Sequence, residues 1–259
     1  MIGNNLDRRA DGMNRTGLLV LIIFGLIIPL FKSSFVCAQG APPQPPPGVV
    51  EGEDLWRLGL KPQAIERVSP GVFSLGDIMI HKETRSVSFP AQVNMDQGLL
   101  EYLIVRSSGK VHESLLRTNI EPYNLQIAFL LLGFEGTDRP IMGQGAPEKP
   151  KGDPVEIIIQ LGKGADGTRG IKGEEWVAKK VNDKMVPTGE IDWVFTGSVV
   201  VDRQFIAQAG GSIVAIYHDS GALIDNASPG GESDEIWFVK EGTVPPVGTP
   251  VTVMIRARR

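Results

Sequence analysis

The stretch 99–133, LLEYLIVRSSGKVHESLLRTNIEPYNLQIAFLLLG, constrains the fold more than any other part of the chain. Residues 99–106 are apolar at Leu99, Leu100, Tyr102, Leu103, Ile104 and Val105, a near-continuous run expected of a strand covered on both faces. Ser107-Ser108-Gly109-Lys110 follows, with polar residues and a glycine free to adopt positive φ, so a tight turn is predicted. A second strand is read over 111–116. Side-chain alternation there places Val111, Glu113 and Leu115 on one face and His112, Ser114 and Leu116 on the other, so His112 and Glu113 are expected to point apart. Pro122 suits the first position of a helix and Gly133 a left-handed cap at its end. Between them Leu125, Ile127, Ala128, Phe129, Leu130, Leu131 and Leu132 leave almost no polar face, which predicts one short buried helix over 122–132. It is too short to cross a bilayer, which takes roughly 20 apolar residues.

Most of the remaining chain reads as short strands punctuated by glycine and proline. Strands are expected over 75–81, 86–89, 155–161, 193–201 with a kink at Gly197-Ser198, 212–217, 222–224, 236–239 and 251–255. Residues 135–154 are rich in Gly, Pro and charge and predict an exposed loop between two halves. The expected class is therefore mainly β, antiparallel sheets in a sandwich-like arrangement with the single helix, preceded by a signal peptide. Trp176, Trp193 and Trp237 lie within strand patterns and are read as core residues.

The N-terminus carries that leader. Arg8, Arg9 and Arg15 precede an apolar run over 17–31, and Val36-Cys37-Ala38 supplies small residues for cleavage after Ala38, so 1–38 is read as a signal peptide. Residues 39–70 then form a proline-rich tether and N-terminal segment, and 71–259 the β-rich domain. The only cysteine, Cys37, leaves with the leader, so the remainder has no disulfide and no thiolate ligand. The chain has net charge −4, and a leader holding Arg8, Arg9, Arg15 and Lys32 against Asp7 and Asp11 makes the remainder more acidic still. That balance argues against nucleic acid and anionic lipid as partners. Location outside the cytoplasm, in a bacterial periplasm or envelope, is expected, with membrane contact only through an uncleaved leader. The expected partner is an envelope protein or a small ligand.

The phrases SVSFPAQVNMDQGLLEYLIVRSSGKVHESLL, IEPYNLQIAFLLLG, DWVFTGS and VPPVGTPVTVMI resemble the YdjY-domain family of exported bacterial proteins. The similarity spans about residues 75–257, and it implies the same fold and location without implying an activity. A ferredoxin-like role would need four cysteine ligands, which excludes an iron–sulfur cluster here.

The one cluster that looks like chemistry is His112-Glu113-Ser114. A histidine base or metal ligand beside a serine and a carboxylate is the starting material of hydrolytic or metal sites. Against catalysis, residues i and i+2 of a strand are poorly spaced for a direct nucleophile–base bond, and no G-x-S-x-G occurs. A metal would have to recruit His81 or His218 with Glu113, Glu101 or Asp219, and no spacing enforces it. The bland reading makes His112 a buried structural residue bonded to a carbonyl. On balance the residues point to a non-catalytic binding or structural module with no cofactor. The alternative is a metal-binding protein or metal-assisted hydrolase centred on His112 and Glu113.

Overall fold

The computed structural model describes residues 63–162 and 170–258; residues 1–38, read above as a signal peptide, and most of 39–70, read as a tether, lie outside the described residues. In chain order the elements are β1 (Ile65–Ser69), β2 (Val72–Leu75), β3 (Ile78–His81), β4 (Ser86–Val93), β5 (Tyr102–Arg106), β6 (Ser114–Thr118), α1 (Pro122–Leu131), β7 (Asp153–Leu161), β8 (Ile171–Lys172), β9 (Val177–Val181), β10 (Lys184–Pro187), β11 (Trp193–Phe195), β12 (Val200–Val201), β13 (Gln204–Phe205), α2 (Ile206–Gly210), β14 (Ser212–Ala215), β15 (Ile224–Asn226), β16 (Trp237–Val239) and β17 (Pro250–Ala257).

The mainly β class holds, and the sheet closes on itself instead of stacking as two layers. Eight strands run in the order β4-β17-β7-β11-β15-β14-β5-β6, and β6 pairs back onto β4 through Gln92↔Arg117 and Val93↔Leu116. Closure leaves these strands few free edges. The last strand is the keystone: β17 pairs along its whole length with β4 on one side and β7 on the other. It thereby joins strands from before and after the 135–154 loop into one sheet. A flap of β1, β2 and β3 continues from the start of β4, and β10-β9-β16 form a separate three-stranded sheet.

One expectation fails in an instructive way. β5 and β6 are parallel neighbours, Tyr102 opposite Ser114 and Ile104 opposite Leu116, where a strand–turn–strand reversal was predicted. Residues 107–113 carry the chain back along β5 before β6 begins, and 111–113 form a 3-10 turn. Asn94 sets that turn, its Nδ2 donating to the carbonyls of Val111 at 2.5 Å and Ser114 at 2.7 Å. Room for the return comes from glycine against glycine: a Cβ on Gly211, whose φ is +73°, would lie 3.0 Å from the Gly109 Cα. β5 is buried on both faces, as the run of apolar residues required, Tyr102, Leu103, Ile104 and Val105 all being 0% exposed. Parallel pairing occurs on this covered side, at β5–β6 and β14–β15. The barrel interior is packed with side chains such as Phe89, Ile157, Ile159, Val253 and Ile255.

The helix ends as its sequence predicts. Gly133 has φ +73°, its N–H donates to Leu130 O at 2.9 Å, and the Phe134 N–H reaches back to Phe129 O at 3.1 Å. That is the Schellman pattern, completed by the rings of Phe129 and Phe134, 5.3 Å apart. Arg85 donates to Leu132 O and Gly133 O at 3.1 and 2.8 Å, placing a cation where the helix dipole is negative. Pro122, Tyr123, Leu125, Ala128 and Phe129 are buried, whereas Leu130 and Leu131 reach solvent. Among the described residues no helix is long and apolar enough to cross a membrane.

Candidate functional site

The sequence candidates sit where the return from β5 to β6 meets the loop after α1. In the 3-10 turn, successive side chains do not alternate as they would on a strand. His112 and Glu113 therefore meet, Nε2 to Oε2 at 3.2 Å, instead of pointing apart. The His112 side chain is 76% exposed, so the buried structural histidine of the sequence reading is not found. Ser114 is fully buried at the start of β6, and its hydroxyl donates to Lys110 O at 2.6 Å. The structure thus brings His112 to Glu113 and leaves Ser114 turned into the chain.

Glu113 leads instead to residues that sequence reasoning had not grouped. Its backbone carbonyl accepts from the Glu101 N–H at 2.9 Å, and the two carboxyl groups face each other. Burial first, then the neighbouring Glu113 charge and hydrogen bond, raise the Glu101 carboxyl above its ordinary range, with Lys110 opposing. Beside them the Lys110 Nζ donates to the Tyr102 hydroxyl at 2.6 Å, which donates in turn to Asp219 Oδ2 at 2.8 Å. Burial, and then Asp219, hold the Tyr102 phenol far above its usual value. Gln144, from the loop after α1, closes the group: Nε2 donates to Glu101 Oε2 at 2.8 Å while Oε1 accepts from Lys110 at 3.3 Å.

Behind this layer Asp225 is completely buried, accepting from the N–H groups of Asp219 and Asn226 at 3.0 and 2.8 Å. Desolvation pushes its carboxyl well up, and the two backbone donors only partly offset that. His218, also buried, has Nδ1 2.7 Å from Ala146 O and Nε2 2.9 Å from Asn226 O, tying the Gln144 loop to β15. His81 lies elsewhere, on β3, with Nε2 3.4 Å from Ser88 Oγ. Among the described residues no group of three or more His, Cys, Asp or Glu side chains is arranged to hold a metal ion.

A second feature carried no motif at all. The sheet β10-β9-β16 turns one face to solvent, and register places Ala178 of β9 between Pro187 of β10 and Phe238 of β16. Along this face runs a trench of about 500 Å³, lined by Ala178, Met185, Val186, Pro187, Phe238, Val239, Lys240 and Glu241. Met185 is 50% exposed at its lip. Pro187 and Lys240 also line an adjoining concavity of about 320 Å³ with Lys172, Glu174, Glu175 and Glu190. The carboxylates there are engaged locally: Glu190 with Lys172 at 2.6 Å, Glu175 with the Lys172 N–H at 3.0 Å, Glu174 with Trp193 Nε1 at 3.2 Å. Burial raises the Glu174 carboxyl. Alternating short residues with a proline and a lysine look like an ordinary blunted strand in the sequence, which is why the trench was not foreseen.

Fold and surface together define a mixed, closed β domain with a side sheet. The chain belongs to the YdjY domain family, whose sequence pattern matches residues 78–256. The match begins at the first residue of β3, so β1 and β2 lie outside it. No curated protein and no solved structure matches the chain.

Proposed function

We propose that this chain is a non-catalytic binding module that works outside the cytoplasm and takes its partner on the open face of the β10-β9-β16 sheet. The observation that carries the reading is the trench itself: an apolar floor with Met185 half exposed, set on a sheet anchored by the buried Trp176, Trp237 and Val239. A preformed apolar concavity with a few polar groups at one end is the usual form of a binding site. The polar cluster supports the same reading from the other side. Ser114 and His112 are not in contact range of each other's chemistry, one being buried on Lys110 O and the other in solvent beside Glu113. Export rests on the leader 1–38 alone, and the partner is an envelope protein or a small ligand.

The test is a titration of the purified full chain with an apolar fluorescent dye, anilinonaphthalene sulfonate, beside Met185→Glu. Dye enhancement that is lost in Met185→Glu is expected. Equal enhancement in both proteins would remove the trench as the binding face.

A further inference from the structure

His218 is 2% exposed, and both of its ring nitrogens face backbone carbonyls, Nδ1 at 2.7 Å from Ala146 O and Nε2 at 2.9 Å from Asn226 O. A neutral imidazole carries one N–H and satisfies one of those oxygens; the doubly protonated ring satisfies both. A Cβ on Gly231 would collide with Nε2 and with Asn226 O, so only glycine fits against that side of the ring. With one proton gone, a nitrogen lone pair is left facing a carbonyl oxygen in a buried place, and that contact turns unfavourable. The titratable side chains nearest in the packed segments are Tyr217 and Asp219 on either side of His218, Asp225 before Asn226, Glu148 beyond Ala146, and Glu232 and Asp234 beyond Gly231. Three of these carboxylates are engaged elsewhere. Asp219 accepts from the Tyr102 hydroxyl and the Gly221 N–H, Asp225 from the N–H groups of Asp219 and Asn226, and Glu232 from the Gly230 N–H.

The two carbonyls are not held equally. Asn226 belongs to β15 and pairs with Trp193 of β11 in the barrel. Ala146 belongs to a strap, 143–146, whose backbone is bonded to the barrel through His218: the Gly145 N–H donates to His218 O at 2.9 Å, beside the ring contact to Ala146 O. Gly145 lies so close to the Tyr217 hydroxyl that a Cβ there would collide with it. The same strap carries Gln144 onto Glu101 and Lys110. We infer that His218 is a proton-dependent latch: its doubly protonated ring fastens 143–146 across the Glu101, Lys110 and Tyr102 group, and loss of one proton releases Ala146 and lets Gln144 lift away. The remaining N–H stays with Asn226, whose strand the barrel holds in place. Low pH therefore closes the strap and higher pH opens it, independently of what the trench binds.

Hydrogen exchange of the full chain tests the latch, read by NMR as protection factors, which remove the intrinsic pH dependence of exchange. The Gly145 N–H reports the strap, and the amides of β17, paired on both sides, report the fold. Ring nitrogen shifts of the three histidines, assigned through the backbone, report the protonation of His218 beside that of His81 and His112. Expected between about pH 5 and about pH 8, where imidazole titrates, is a several-fold fall in Gly145 protection that follows the His218 ring while β17 stays unchanged. In His218→Gln, whose amide does not titrate, Gly145 protection should no longer depend on pH. Protection that stays level while the His218 ring loses its proton overturns the inference. So does a ring whose protonation does not change over this range, or a fall that persists in His218→Gln. If a thermal melt shows that the variant does not fold, the wild-type series decides alone: a fall that follows His218 supports the latch, and one that follows His81 or His112 instead overturns it.

Discussion

The Lys110 ammonium lies 2.6 Å from the Tyr102 hydroxyl and 4.8 Å from the centre of the same ring, so one buried tyrosine holds the cation by its edge and its face together. The hydroxyl passes the contact on to Asp219, linking the return loop after β5 to the chain after β14. Tyr102→Phe keeps the ring and removes the bridge. It leaves Asp219 Oδ2 and Lys110 short of a partner, and a loss of about 1–3 kcal/mol is expected. Urea unfolding measures it, with an unchanged midpoint counting against the bridge.

Glu101 makes stability depend on pH. An acid whose folded pKa is raised binds its proton more tightly folded than unfolded, so its contribution is full below the ordinary carboxylate range and fades as pH rises through the raised value. The groups facing it are Glu113, Lys110, Asp234 and Gln144. Glu101→Gln abolishes that fading: the variant and the wild type should melt together near pH 4, with the variant higher at neutral pH. Solvent screening keeps the gain to roughly 0.5 kcal/mol. Parallel Tm curves across this range would show that the carboxylate pair does not govern stability.

Among the described residues the ion-pair partner of His112 is Glu113, and its side chain is mostly in solvent. His112→Ala should shift stability by no more than about 0.5 kcal/mol, as at other surface positions. Elemental analysis of the wild type and the variant should give the same metal content. Stoichiometric metal that disappears with the imidazole would revive a metal site at this turn.

Gly133 takes φ +73° in the Schellman turn after α1, where nothing lies within 4 Å of an added Cβ. Gly133→Ala therefore reports backbone strain alone, without a clash, at about 1 kcal/mol. Gly211→Ala, also at positive φ, adds a contact at 3.0 Å with the Gly109 Cα and should cost more. Denaturant melts of the two variants side by side test the order; equal losses would mean that the Gly109–Gly211 crossing yields freely.

How much was legible follows from the range of each interaction. The cap at Gly133, the helix start at Pro122, the apolar strands and the buried tryptophans rest on residues a few positions apart, whose turn chemistry and side-chain period are written locally. The family resemblance was likewise carried by local phrases, and the match over 78–256 agrees with it. The candidate site was only partly readable. His112 and Glu113 were adjacent in sequence, yet their meeting required the 3-10 turn, and that turn is set by Asn94, 17 and 20 residues from the carbonyls it binds. Glu101, Gln144 and Asp219 joined Tyr102 and Lys110 from positions up to 117 residues apart, a grouping that no spacing records.

By itself, then, the sequence determined that this is a strand-rich chain with one helix, an N-terminal run of leader character and no cysteine beyond it, because propensity, period and composition act over short distances. Only the tertiary structure decided that β5 and β6 run parallel, that β17 closes the sheet between β4 and β7, and that an apolar face stays open on β10-β9-β16. Strand direction and partner are chosen by burial and backbone hydrogen bonding between distant segments. An apolar strand reads the same whichever way its neighbour runs.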